Sequence, residues 1–191
     1  MRSDAARNRD RILEVARTLI AREGASVSMD AIAAEAGVAV GTLYRHHPTK
    51  AALVEAVVEH SIEQIATTTR EALLRIDAGA DAAAELDATF RLVAEHAAAD
   101  AAVKQAAESL GTWSPLTLEP AAMSSIVPGS AMERALLAVQ DLLAAALATG
   151  RVRQDLTIGD LWVLLAGVPD ASAPPELRDR YIDIVLAGLR T

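Results

Sequence analysis

Residues Ser28 to Lys50, SMDAIAAEAGVAVGTLYRHHPTK, hold two stretches with helical spacing, each too short to persist alone in water. Gly37 separates them, and glycine accepts the left-handed backbone that a tight turn between helices requires. Two such helices are stable only if they cross closely and bury one another. Ala33 is small where they would touch, and Ile32, Ala36, Val38 and Leu43 supply an apolar wedge. Ser28 is a good N-cap for the first stretch, Met29 to Ala36, and Asp30 suits the positive end of its dipole. The second stretch covers Val40 to His47 and is closed by Pro48, after which Thr49 can cap a longer helix.

The rest of the chain reads in the same idiom. A first helix is expected over Asp4 to Glu23, with Ile12, Val15, Ala16, Leu19 and Ile20 at helical spacing and Gly24 stopping it. A long fourth helix runs from Lys50 to about Ile76. Helical patterns resume over 81–98 and 101–110, with an alanine-rich junction at 97–102. Gly111, Pro115, Pro120, Pro128 and Gly129 make 111–130 an irregular connection. Further helices are expected over Ser130 to Thr149, 157–168 and 175–190. With 42 alanines and 3% aromatic residues the chain favours helix throughout, and no alternating run reads as a strand. The expected fold is all-α: a small head at 1–50, and a larger body at 51–191 that helix 4 joins to it.

Charge divides along the same line. Residues 1–50 carry eight Lys and Arg against six Asp and Glu, whereas 51–191 carry ten against twenty. A polyanionic partner would therefore meet the head and not the body. No cysteine is present, which removes disulfides, thiolate metal sites and a thiol nucleophile. The adjacent His46 and His47 point about 100° apart on a helix, and no ligand set completes a metal site. Histidines 46, 47, 60 and 96 sit in no recognised catalytic arrangement, and no glycine-rich phosphate loop appears, so neither catalysis nor a cofactor is expected. The charged start MRSDAARNRDR lacks an apolar core, and no apolar run reaches the ~18–20 residues of a bilayer span. A cytoplasmic protein is the expectation.

Gly37-Val38, Gly41-Thr42-Leu43-Tyr44, His46, Pro48-Thr49-Lys50 and Leu53 resemble, in order and spacing, the signature of the TetR (tetracycline-repressor) family. The resemblance covers about 45 residues and implies a DNA-binding helix-turn-helix. Physically, Val40, Gly41 and Thr42 begin the helix that would enter a major groove: Gly41 lets backbone approach, Thr42 offers a hydroxyl and a methyl, and Val40 could touch a thymine methyl. Tyr44, Arg45 and His46 are placed to reach phosphates or base edges, with Arg45 the candidate for reading guanine. Lys50 at the start of helix 4 can pair with a phosphate. The resemblance carries DNA contacts to Thr42, Tyr44, His46 and Lys50. His47 stands where the family usually has Phe, and its ring is expected partly exposed on the first helix.

One helix-turn-helix makes few base contacts, so a homodimer on a palindromic operator is expected. Leu161, Leu164, Leu165 and Val168 form one apolar face near the C-terminus; Tyr181, Ile184, Val185 and Leu189 form another, with Ile182 and Leu186 beside it. The resemblance implies that these helices pair with their twins in a four-helix bundle. Phe90, His96, Trp113, Met123, Met132 and Trp162 are the bulky or adaptable candidates for an effector site in the middle helices. The family's mode of action implies a repressor released from DNA by a small molecule. A helical ligand-binding or interaction protein without DNA-binding activity remains the alternative.

Overall fold

Gly24 and Gly37 take positive φ, at 72° and 65°, and punctuate the first three helices. In the computed structural model, which describes residues 2–111, 126–170 and 172–191, α1 spans Arg2–Glu23 and a 3-10 turn follows at Gly24–Ser26. Helices α2 (Met29–Glu35), α3 (Val40–His46) and α4 (Lys50–Asp77) come next. Then follow α5 (Ala82–Ser109), α6 (Ala131–Ala148), α7 (Ile158–Ala166) and α8 (Pro175–Gly188). The fold is all-α; among the described residues the one β-type contact is an isolated bridge between Val152 and Arg190.

The capping residues act as their chemistry dictates. Ser28 Oγ accepts from the Ala31 amide at 3.1 Å, Thr49 Oγ1 from Ala52 at 3.1 Å, and Ser130 Oγ from Glu133 at 3.2 Å. Thr157 and Asp160 close a reciprocal capping box on α7. One expectation fails: 81–98 and 101–110 are a single 28-residue helix, α5. The alanine run at 97–102 contains no breaker, and alanine is the residue that costs least in a helix.

The chain forms two compact units. The first takes its described residues from Met1–Ser61 and Ala99–Leu116, the second from Ile62–Ala98 and Thr117–Thr191. The cut expected at residue 50 falls inside the first unit. There, Ile12, Leu13, Ala16 and Ile20 of α1 are buried with Ile32 and Ala33 of α2, Leu43 of α3 and Leu53, Val54 and Val57 of α4. Val103, Ala106 and Ala107 of α5 are buried too. Each fully buried Leu or Ile contributes on the order of 1.5–3 kcal/mol, which is what holds helices as short as α2 and α3.

A second device ties α5 into this unit. Arg17 Nε donates to Asp100 Oδ1 at 2.5 Å, with both side chains largely out of solvent, and Arg17 Nη1 also reaches Glu14 at 2.9 Å. Burial opposes the charge of Arg17, but Asp100 and then Glu14 outweigh it and raise the Arg17 pKa, so the guanidinium stays charged. Removing one partner would strand the other charge.

The second unit is built on Leu86, Phe90, Leu142, Leu143, Leu156, Leu161, Ile182, Val185, Leu186 and Leu189. Tyr181 Oη donates to the Leu164 carbonyl at 2.7 Å and so locks α8 to α7. Gly167 makes room for that hydroxyl: a Cβ there would lie 2.7 Å from it. Exposed ion pairs such as Arg75–Glu85, at 2.9 Å, add little to stability.

Candidate nucleic-acid interface

The presented surface of α3 follows from a single anchor. Leu43 is fully buried and fixes the helix to the first unit's core. With it fixed, Gly41, Tyr44, Arg45 and His46 face outward, and Val40 and Thr42 are half-buried at the leading edge. Tyr44 leaves 44% of its surface exposed, a large apolar ring held out beside a guanidinium and an imidazole. Six of the predicted contact residues thus lie consecutively or nearly so on one short helix, with the basic ones in its last turn.

Nothing among the described residues requires a glycine at Gly41. Its φ is not positive, and a Cβ built on it would meet no atom within 4 Å. Gly37 differs: its φ of 65° makes it a conformational necessity of the α2–α3 turn.

Lys50 is held differently from expectation. Its Nζ donates to the carbonyls of Ala25 and Val27, so the start of α4 is tethered to the loop before α2. Burial lowers its pKa. Two of the ammonium's three donors are therefore engaged inside the protein, which makes Lys50 a tether that shapes the head and leaves one donor outward.

His47 departs further. It was expected partly exposed, and it is 6% exposed. The backbone leaves α3 at this residue in extended conformation, φ −132° and ψ 90°, which turns the ring inward and away from the helix surface. Its Nε2 has no hydrogen-bond partner. Burial, then the charges of Arg9 and His46, push its pKa down, so the imidazole is neutral in the folded head.

The candidate effector residues fall into three groups. Phe90 and Met132 line a cavity in the second unit, together with Trp162. His96 is half-buried and is not among the lining residues. Trp113 and Met123 lie outside the described residues. Sequence reasoning missed Ile62 and Ile65 of α4 and Leu86, Thr89 and Val93 of α5, which complete much of the wall. Thr89, a hydroxyl inside the apolar face that Phe90 marks, was the available signal.

The proposed dimer residues also divide. Leu161, Val185 and Leu189 are buried in their own unit, and Leu161 and Leu165 line the cavity. Leu161, Val185 and Leu189 are corrections, since a side chain enclosed within one protomer cannot face a twin. Leu164, Leu165, Val168 and Tyr181 are only partly buried. Ile184 is 62% exposed, as are the unpredicted Val163 at 65% and Leu177 at 53%.

Comparison with known proteins gives these features a context. Residues 12–57 match the model described as bacterial regulatory proteins, tetR family. Residues 89–191 match that of the transcriptional regulator SbtR-like C-terminal domain. A TetR transcription regulatory protein from Mycobacterium vanbaalenii is 38% identical, with TM-score 0.73, covering 100% of this chain and 99% of that one. A TetR transcriptional regulator from Streptomyces coelicolor is 31% identical, with TM-score 0.73, over 95% and 98% of the two chains. An HTH-type transcriptional regulator of Staphylococcus aureus is 44% identical over 64 residues, 33% of this chain and 35% of its own length. The match thus spans about a third of that curated relative. The LfrR regulator of Mycobacterium smegmatis, solved with proflavine, shares the fold at 19% identity and TM-score 0.60, over 97% and 96% of the two chains.

Proposed function

Because this chain belongs to the TetR family of bacterial regulatory proteins, we propose that it regulates transcription by binding duplex DNA through α3 and the start of α4. The observation that carries this reading is the outward row Gly41, Tyr44, Arg45 and His46, set on a helix whose other side is pinned by Leu43. A glycine with no internal reason for its missing side chain, on a face with two basic or titratable groups, fits close approach of an outside body. In a major groove, Val40, Gly41 and Thr42 would lie against bases, while Tyr44 and His46 reach the backbone and Arg45 a guanine edge. Lys50 contributes by holding the loop before α2, and its remaining donor is available to a phosphate.

The working unit is a homodimer on a palindromic operator, acting in the cytoplasm. Exposed Val163 and Ile184, beside half-buried Leu164, Val168 and Tyr181, form an apolar surface suited to a twin. A small molecule in the body cavity regulates release. Helix α4 carries Lys50 at one end and the cavity residues Ile62 and Ile65 further along, so an effector preferring another position of α4 shifts the population of DNA-competent heads. Repression is the mode this release mechanism implies.

The test is binding of the purified chain to its upstream intergenic DNA across a salt series. Tyr44→Ala is expected to weaken binding, and Arg45→Ala to relax preference at one base pair if it reads guanine, or to lower the salt slope by about one if it grips phosphate. Unchanged affinity in both variants, with helicity intact, would turn the account toward a helical ligand-binding protein that does not act on DNA.

A further inference from the structure

Building on the reading of the second unit as the effector-binding body, we infer that the effector is an uncharged, mostly hydrocarbon molecule with one hydrogen-bonding oxygen, held with that oxygen at Thr89. The cavity has a volume of about 60 Å³, and the empty space including its open mouth is about 670 Å³. That range admits a small organic molecule. Its walls are Ile, Leu, Val, Ala and Met side chains with Phe90 and Trp162, and no charged residue lines it among the described residues.

Thr89 is the one hydroxyl in this wall, whose other polar side-chain group is the indole N–H of Trp162. Thr89 is 6% exposed, and its Oγ1 has no hydrogen-bond partner. Threonine in a helix ordinarily satisfies itself by donating to the carbonyl four residues back. Thr69 does this, giving its hydroxyl to the Ile65 carbonyl at 2.8 Å. Thr89 does not, so a donor and an acceptor are kept unspent in the wall of an apolar hollow, closed off in this conformation and reached by a ligand when the side chain turns. Buried polar atoms are rarely left this way, and where they are an explanation is due. A ligand oxygen supplies one.

The same wall decides against charge. A carboxylate, phosphate or ammonium entering here would lose its hydration and find no counter-ion among the described lining residues, a cost that one hydroxyl does not offset. Apolar contact supplies affinity, and Thr89 supplies orientation and the choice among hydrophobes.

Calorimetric titration of the full chain with 1-octanol, octanoate and octylammonium separates the possibilities, since the three share a chain and differ in the head. We expect 1-octanol to bind and the two ions to bind at least about tenfold more weakly. Thr89→Val, which keeps the shape and removes the hydroxyl, should bind 1-octanol about five-fold more weakly, the size of one neutral hydrogen bond. Thr89→Ser should restore it, and Ala135→Leu, which fills the cavity, should abolish it. An ion binding as well as the alcohol, or Thr89→Val binding as tightly as the unaltered chain, would overturn the inference while leaving the cavity an effector site. Failure of all three probes, or binding untouched by Ala135→Leu, would remove the effector site itself and the inference with it.

Discussion

Replacing Gly41 by alanine should make the protein more stable and a poorer DNA binder. Gly41 is the second residue of α3, its φ is not positive, and an added Cβ meets nothing within 4 Å. Folding therefore gains from the change, because alanine restricts the unfolded chain and favours helix. The expected gain is about 0.5–1 kcal/mol. For a chain of this size that raises the melting temperature by about 1–4 °C. On DNA the sign reverses. A methyl on the leading face of α3 holds the backbone off the base edges, and losing one bidentate-quality contact costs about 1–3 kcal/mol, a fall in affinity of about five-fold to over a hundred-fold. Thermal melting by circular dichroism and fluorescence anisotropy on a labelled duplex read the two effects separately. If Gly41→Ala bound DNA as tightly as the unaltered chain, the face containing Gly41 would not be the one that meets the groove. If it lowered stability, the open space found beside Gly41 would be wrong.

Three other perturbations follow from the same structure. Burial holds the His47 pKa below its ordinary value of about 6.5, so the unfolded chain takes up a proton first as the pH falls. Stability is then full above pH 6.5 and declines as the pH drops through and below that value; His47→Phe should flatten this slope in melts between pH 7.5 and 5, and raise stability by about 1 kcal/mol at pH 7 by removing the unpartnered Nε2. Charging the apolar surface of α7 and α8 with Val163→Glu and Ile184→Glu should convert a dimer to a monomer in light scattering while leaving the helical signal intact, since both side chains are exposed in one protomer. Gly167→Ala should cost about 1 kcal/mol by displacing the Tyr181 hydroxyl from the Leu164 carbonyl, and in a double-mutant cycle with Tyr181→Phe the second change should cost much less than it does alone.

What was legible in the sequence is what local chemistry decides. Gly24 and Gly37 mark turns, and Ser28 and Thr49 mark helix starts, because a cap or a positive φ is settled by neighbours in the chain. The outward residues of α3 were readable for the same reason: once Leu43 is core, helical geometry assigns the rest. Alanine at 97–102 gave no such mark, and Asp100 within it was the sign of a partner far along the chain, Arg17. Periodicity showed that α7 and α8 had apolar faces, but the neighbour covering each face is a tertiary fact; Leu161, Val185 and Leu189 turned inward and Val163 and Ile184 outward. His47 was misjudged because one extended residue after α3, invisible to any pattern, carries its ring into the core. The tether of Lys50 to Ala25 and Val27 was hidden likewise, since a lysine beside a helix start reads equally as a ligand for phosphate or for carbonyls.

The most direct test of DNA recognition by α3 is selection of bound fragments from a random duplex library by the purified chain, followed by sequencing. Enrichment of an inverted repeat with half-sites about one helical turn, 34–36 Å, apart is the predicted result, with Tyr44→Ala and Arg45→Ala altering the enriched half-site or its retention. Recovery of no motif at any salt concentration, by a protein that is folded and dimeric, would contradict it.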